Sequence, residues 1–181
     1  IEQDNPAAAV AVDDRIGEQV NQLKTFSKSG RPGRIEGTRE LVITRETHVS
    51  PEKLFAGWTQ ADHYPVWFCP KPWFVSDVRI DLRVGGGYKM SFTNFGTGSS
   101  HSFGGTYKEL VPGERIRYSD RFDDPGLPGE MSVTVELSTV MCGTELRITQ
   151  EGIPPAIPVE FCYLGWQESL SLLAQLVEPN I

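Results

Sequence analysis

The chain has 181 residues, and its 24 Asp and Glu against 17 Lys and Arg give a formal net charge of -7 at pH 7. This length is typical of one domain with a substantial core, and an acidic chain without a Lys or Arg cluster is typical of proteins that bind no nucleic acid. No apolar run is long enough to cross a bilayer, so we expect no membrane insertion.

The cysteines and the start of the chain bear on location. Cys69, Cys142 and Cys162 are odd in number and widely spaced, which argues against a disulfide framework. The first ten residues, IEQDNPAAAV, lack the basic region and long apolar core of a secretory signal. Both observations favour a reducing, cytoplasmic location.

Residues 1–37 differ in pattern from the rest of the chain. Ile16, Val20, Leu23 and Phe26 have the spacing of a short amphipathic helix, and the polar, Gly-rich stretch SKSGRPGRIEG follows them. We therefore predict an N-terminal extension and linker over 1–37 and one domain over 38–181. A chain that begins near Thr38 is expected to be almost as stable as the full chain.

The next elements are a strand, two short helices and a second strand. RELVITRETHV has the apolar pattern of a strand, and Ser50 followed by Pro51 is typical of a helix start. A second short helix is predicted from Gln60 to about Val66, before two prolines interrupt the chain. FVSDVRID then has the pattern of a strand.

Residues 81–150 read as a series of strands joined by tight turns. Tyr88, Met90 and Phe92 alternate with polar residues, which predicts a strand that Gly85-Gly86-Gly87 opens. Gly104-Gly105 is expected to open the following strand, and Pro112-Gly113 to turn it into the next. MSVTVELSTV and TELRITQE complete the series across Cys142-Gly143.

The last predicted element is one long helix over Ile157–Val177, which has a broad apolar face of helical period. Consecutive strands with short links form antiparallel sheets, and a lone helix must bury its apolar face against such a sheet. The fold class is therefore α+β. We expect a curved antiparallel sheet of six or seven strands wrapped around the C-terminal helix, with two short helices after the first strand.

Several short segments carry a resemblance to a known family. They are Val49 to Phe55 with Trp58-Thr59, Trp67-Phe68 with Pro70, Asp81 to Gly86, Gly105-Thr106-Tyr107, Pro112 to Arg115, Gly143 to Leu146, and Gly165-Trp166. In this order they resemble the START-like (SRPBCC, helix-grip, Bet v-like) superfamily, in the branch named after the activator of the heat-shock protein 90 ATPase. The resemblance runs from about Arg39 to Glu178 and implies a cavity between the sheet and the long helix.

The chain departs from that family pattern in two places. The authentic co-chaperone carries a large N-terminal domain that takes part in chaperone binding, whereas only residues 1–37 precede the fold here. The second tryptophan of the family's Trp-Trp-Pro segment is Phe68. Both departures argue against chaperone binding, which is kept as an alternative function.

The predicted ligand site consists of large side chains on the inner strand faces, on the aromatic segment 64–74 and at the start of the last helix. That segment is expected either to close a cavity as a lid or to form plain core. The predicted ligand contacts are Trp67, Phe68, Trp73, Met90, Phe92, Phe103, Tyr107, Tyr118, Asp120, Phe122, Gln150, Tyr163 and Trp166.

Two polar residues share apolar strand faces within this set. Asp120 is in phase with Tyr118 and Phe122, and a carboxylate that faces inward must be paired, hydrogen-bonded or protonated. It would orient a ligand, act as a general base, or pair structurally with an arginine such as Arg79 or Arg83; a shifted strand register would turn it outward. Gln150 is in phase with Leu146 and Ile148 and raises the same question.

The sequence shows no recognisable catalytic motif. His48, His63 and His101 are far apart, so we predict no metal site and no cofactor. Cys69 has no basic neighbour that would activate a thiolate. The Gly85-Gly86-Gly87 run lacks the Gly-Lys-Ser/Thr sequence of a phosphate loop. The sequence assigns no catalytic residue.

Three functions remain open. The first is the binding of a small hydrophobic molecule in the cavity. The second is an enzyme of the cyclase or hydrolase type with Asp120 or His63 as acid or base, and the third is a chaperone-regulating interaction module. A homodimer is also left open.

Overall fold

The computed structural model describes residues 31–34, 36–69 and 71–178. The helix predicted around Ile16 to Phe26 lies outside these residues, and so does most of the extension. The domain boundary at 37/38 therefore stays a prediction.

Three helices and eight strands make up the described fold. The helices are α1 (Pro51–Thr59), α2 (Tyr64–Trp67) and α3 (Val159–Val177). The strands are β1 (Arg31–Pro32), β2 (Arg39–Thr47), β3 (Trp73–Ile80), β4 (Gly87–Asn94), β5 (Ser100–Val111), β6 (Arg115–Phe122), β7 (Met131–Val140) and β8 (Gly143–Ile153).

All the strands belong to one antiparallel sheet in the order β1-β2-β8-β7-β6-β5-β4-β3. Strands β3 to β8 follow one another as a meander, and β2 closes the series beside β8. Seven strands are long, and the two-residue β1 pairs with the start of β2. The sheet curves around α3, which confirms the predicted α+β, helix-grip architecture.

The apolar inner face of the sheet follows from the alternation of apolar and polar residues along its strands. In β7, Val133, Val135 and Leu137 are buried, while the residues between them are half-buried. Burial of each such side chain stabilises the fold by about 1.5–3 kcal/mol. Leu146 and Ile148 of β8 pair with Leu137 and Val135, so the two strands present one continuous apolar surface.

Helix α3 covers that surface with residues at helical spacing. Trp166, Leu170, Leu173 and Val177 are all buried on one face of the helix. Helix α1 packs against the C-terminal half of the same helix through Gly57, where an added Cβ would lie 3.0 Å from Cδ1 of Leu173. The two helices therefore approach closely because this position has no side chain.

Some element boundaries differ from those predicted. Helix α2 is one turn long and begins at Tyr64, and Trp67 fixes it by donating its indole N–H to the Gly57 carbonyl at 2.8 Å. The prediction that Gly104 and Gly105 open β5 is wrong, because both residues lie inside that strand. An added Cβ on Gly105 would lie 1.8 Å from the Ser119 carbonyl oxygen, so the close approach of β5 and β6 requires glycine there.

Candidate functional site

A cavity of about 230 Å³ lies between the inner face of the sheet and the first half of α3. Its lining residues come from β4 to β8, from the segment after α2, from the loop between β8 and α3, and from α3 itself. They are Phe68, Phe92, Phe103, Asp120, Phe122, Met131, Gln150, Ile157, Phe161, Cys162, Gly165, Trp166 and Ser169.

Aromatic rings form most of the wall in one contiguous series. The ring of Phe68 lies 5.6 Å from that of Trp166 and 5.9 Å from that of Phe92, measured between centroids. Phe92 lies 4.6 Å from Phe103, which in turn lies 6.0 Å from Phe122. The rings are tilted or edge-on to one another, which is the geometry that aromatic pairs favour.

The sheet register brings these rings together. Phe103 of β5 pairs with Phe122 of β6, and the two side chains face the same side of the sheet. Phe68 follows α2 and reaches the cavity from the other side. Phe161 lines the cavity yet is 67% exposed, so it stands at the rim.

Asp120 places a carboxyl group in this aromatic wall. Its Oδ1 atom is buried and has no hydrogen-bond partner. Burial raises the pKa of Asp120 to about 6, while the Tyr88 hydroxyl and the Arg121 backbone N–H act in the opposite direction. The arginine pair considered from the sequence is not formed by Arg83, which binds Asp81 at 2.9 Å.

Gln150 is the second polar group of the wall, and both ends of its amide are engaged. Its oxygen accepts the indole N–H of Trp166 at 2.9 Å, and its nitrogen lies 3.3 Å from the Met131 sulfur. All three residues are buried. The amide therefore joins β7, β8 and α3 and has little capacity left for a ligand.

Neither the half-buried Cys162 nor the buried Cys69 has the character of a nucleophile. Burial raises the pKa of Cys162, which lines the cavity, to about 11, and the charge of Asp120 adds to the effect. Burial also raises the pKa of Cys69 to about 12. Both thiols stay protonated near neutral pH, so neither is activated for attack.

A cluster of aromatic residues with polar groups lies next to the cavity and behind Asp120. It consists of Trp58, Tyr64, Tyr88, Tyr107 and Tyr118, which enclose a space too small for a water molecule. Burial raises the pKa of each tyrosine, and the negative charge of Asp120 contributes at Tyr64, Tyr88 and Tyr118. This cluster therefore presents neutral hydroxyl groups to the carboxyl.

Seven of the thirteen predicted ligand contacts line the cavity. They are Phe68, Phe92, Phe103, Asp120, Phe122, Gln150 and Trp166. Trp67 and Met90 lie in the core, and Tyr107 and Tyr118 belong to the tyrosine cluster. Trp73 packs beside His101, and Tyr163 is 36% exposed on α3.

Six lining residues were absent from the predicted set: Met131, Ile157, Phe161, Cys162, Gly165 and Ser169. Four of them lie on α3 at positions 161, 162, 165 and 169, which is the spacing of one helical face. Met131 is in phase with Val133 on β7. Both signals were present in the sequence.

No group of three or more His, Cys, Asp or Glu residues able to hold a metal occurs within residues 31–34, 36–69 and 71–178. His48 lies near Glu178, and His101 lies near Asp124, both on the surface. His63 precedes α2 and does not line the cavity. In the part of the chain that the structure describes, no helix is long and apolar enough to cross a membrane.

Comparison with known proteins gives relatives of two kinds. Protein CV1439 from Chromobacterium violaceum is 49% identical, with a TM-score of 0.76, over 81% of this chain and 100% of that one. An AHSA1-like protein from Aeromonas hydrophila is 21% identical, with a TM-score of 0.65, over 77% of this chain and 92% of its own, a likeness of fold.

A short sequence match concerns the protein named "Putative toxin Y4kP" from Sinorhizobium fredii. It is 46% identical over 54 residues, which are 30% of this chain and 56% of that protein. The match thus spans just over half the length of that curated relative. The family model described as "Activator of Hsp90 ATPase homolog 1-like protein" matches residues 48–178, and the chain belongs to this family.

Proposed function

We propose that the protein binds a small, mainly apolar organic molecule in the cavity between the sheet and α3. The observation that carries this proposal is a 230 Å³ cavity whose wall is a contiguous series of aromatic rings interrupted by one buried carboxyl group. Binding sites for small molecules combine an apolar concave wall with a few polar groups in this way.

Gly165 supports the proposal because it keeps the cavity open. It lies inside α3, where glycine destabilises a helix by about 1 kcal/mol relative to alanine. An added Cβ on Gly165 would meet no neighbouring atom within 4 Å, so larger side chains fit there. Gly57, by contrast, is needed for close helix packing. If position 165 served stability alone, a larger residue with a higher helix propensity would occupy it and fill part of the cavity.

The volume of the cavity limits the size of the ligand. A cavity of roughly 150 Å³ lined by apolar side chains accepts one benzene molecule. The 230 Å³ cavity therefore suits one ring, or a branched aliphatic group of similar size, with a short substituent. It falls below the range of about 300–1,000 Å³ that is typical for drug-sized ligands.

Calorimetric titration with phenethyl alcohol, a neutral one-ring probe, tests this proposal. We expect saturable one-to-one binding to the full chain, and a loss of affinity of about tenfold or more in Gly165→Leu. The Gly165→Leu variant should melt no lower than the parent protein. Gln175→Leu, which adds the same side chain to an exposed position of α3, is the matched control and should bind normally.

Two results would overturn the proposal. One is the absence of any saturable binding of one-ring probes to the parent protein. The other is equal affinity in Gly165→Leu and Gln175→Leu, which would place the bound probe outside the cavity.

The family description suggests a second function, the regulation of a chaperone ATPase. Phe74 and Phe95 are 46% and 86% exposed near one end of the β3–β4 pair and offer apolar contacts for such a partner. The ATPase rate of the chaperone should then rise when the protein is added, and Phe95→Ser should reduce that rise. An unchanged rate would remove this function.

A cytoplasmic location is part of the proposal. Cys69, Cys142 and Cys162 are free thiols in the structure, as expected for a protein of a reducing compartment. Alkylation of the denatured, unreduced protein taken directly from cells should label all three. Fewer labelled cysteines would indicate an oxidised form.

A further inference from the structure

We propose that the ligand of this cavity is a small organic cation, an ammonium group carried on one ring or a branched aliphatic group, whose nitrogen pairs with Asp120. This inference rests on the proposed binding function and specifies the chemistry of its ligand. It follows from the charges that face the cavity and from the aromatic wall around them.

The charges around Asp120 favour a cation. None of the lining residues is Lys, Arg or His, so the described part of the chain supplies no positive partner inside the cavity. The ionisable groups that face the carboxyl are Tyr88 from β4, Tyr118 from β6, Tyr64 from α2 and Cys162 from α3. All four are neutral near pH 7, because burial raises the pKa of each.

Asp120 also lacks a hydrogen-bond donor for one of its oxygens. An ionised carboxylate only accepts hydrogen bonds, and a buried one without partners destabilises the protein. Oδ1 of Asp120 has no partner, whereas the amide of Gln150 is engaged by Trp166 and Met131. Asp120 lines the cavity, so an ammonium group bound there supplies the opposite charge and a hydrogen-bond donor to the carboxylate.

The aromatic wall adds a second attraction for the same group. A cation within about 6 Å of an aromatic face is attracted by the negative charge of the π electrons, most strongly when it is removed from water. Phe68, Phe103, Phe122 and Trp166 line the cavity together with Asp120. An anionic ligand would instead meet the carboxylate without any positive residue to offset the repulsion.

Three probes with a common phenyl-ethyl skeleton separate the possible charges. Phenethylamine is a cation, phenethyl alcohol is neutral and hydrocinnamate is an anion, while all three share one ring and a two-carbon chain. At about pH 8 we expect the amine to bind the parent protein about tenfold or more tightly than the alcohol, and the anion to bind most weakly.

Asp120→Asn should abolish this preference, so that the variant binds the amine no better than the alcohol. Asp123→Asn removes an equal charge from an exposed position and is the matched control, which should retain the preference. If Asp120→Asn does not fold, the parent protein at about pH 5 serves instead. Protonation of Asp120 there should lower its affinity for the amine and leave the alcohol unaffected.

Equal binding of the amine and the alcohol by the parent protein would overturn the inference and leave the proposed function standing. An amine preference that survives in Asp120→Asn, or that is lost equally in Asp123→Asn, would overturn it as well. Failure of all three probes to bind would remove both the inference and the proposed function.

Discussion

The indole N–H of Trp166 donates to the side-chain oxygen of Gln150 at 2.9 Å, and this bond joins α3 to β8 inside the cavity. Both residues are buried, and both line the cavity. The bond fixes the ring of Trp166 at the position where it closes one side of the aromatic wall. The helix and the sheet are thus held together by a polar contact at the site as well as by the apolar core.

Gln150→Met should lower the free energy of unfolding by about 1–3 kcal/mol, because it leaves the buried indole N–H of Trp166 without an acceptor. Trp166→Phe should likewise leave the amide oxygen of Gln150 without a donor. The double variant should lose less than the sum of the two single variants, since neither unpaired group then remains. Urea unfolding of the four proteins measures this coupling, and strictly additive losses would contradict it.

Gly105 and Gly165 should respond in opposite ways to the same substitution. Gly105→Ala should destabilise the protein by about 2–3 kcal/mol or more, because its Cβ would lie 1.8 Å from the Ser119 carbonyl oxygen. Gly165→Ala should stabilise it by about 0.5–1 kcal/mol, because alanine favours the helical conformation more than glycine and the new methyl group meets no neighbouring atom within 4 Å. Thermal unfolding shows whether each variant is less or more stable than the parent protein. A change of the same sign in both variants would contradict the explanation given for at least one of the two glycines.

Asp120 should make the stability of the protein depend on pH. Its pKa in the folded protein is about 6, above the ordinary value of 3.8, so the folded state binds the proton more tightly than the unfolded state. The stability that this group contributes is therefore fully present below about pH 4 and is lost as the pH rises towards about 6. From this shift, Asp120→Asn should be more stable than the parent protein by about 2–3 kcal/mol near neutral pH.

The advantage of Asp120→Asn should disappear near the unfolded pKa of Asp120. Unfolding by urea at a series of pH values measures the difference between the two proteins, in which the other carboxyl groups cancel. A difference that does not change with pH would show that Asp120 has an ordinary pKa. A variant that is less stable at every pH would show that the carboxylate has a partner.

Removal of residues 1–37 should lower the melting temperature by only a few degrees, since about 1 kcal/mol corresponds to 2–4 °C in a domain of this size. Within the described residues, this truncation removes the two-residue β1, which pairs with Arg39 and Glu40 at the edge of the sheet. Calorimetry of the full chain and of a chain that begins at Thr38 gives the comparison. A much larger loss would mean that the extension completes the core or a dimer interface.

The fold could be predicted from the sequence because two periods dominate it. The alternation of Val133, Val135 and Leu137 indicates a strand with one buried face, and the spacing of Trp166, Leu170 and Leu173 indicates a helix that covers such a face. The short, glycine-containing turns between consecutive strands then indicate an antiparallel meander. These local patterns suffice because neighbouring strands in the chain are also neighbours in most of the sheet.

The outline of the cavity could be predicted only in part, because alternation gives the face of a residue but not its position under the helix. Phe103 and Tyr107 lie on the same face of β5, yet Phe103 lines the cavity and Tyr107 belongs to the tyrosine cluster. Tyr118 and Phe122 divide in the same way on β6. Tertiary packing decides which part of the sheet lies under α3 and which part lies under α1, and the period of a strand does not give this information.

The three methionines provide the most direct measurement of the central claim. Met131 lines the cavity, Met90 is buried in the core and Met141 is 100% exposed. With methyl-labelled methionine, titration with phenethylamine should shift the Met131 resonance in a saturable way, with a smaller change at Met90 and none at Met141. An unmoved Met131 resonance at saturating probe, or a shift confined to Met141, would contradict a ligand-binding cavity between the sheet and α3.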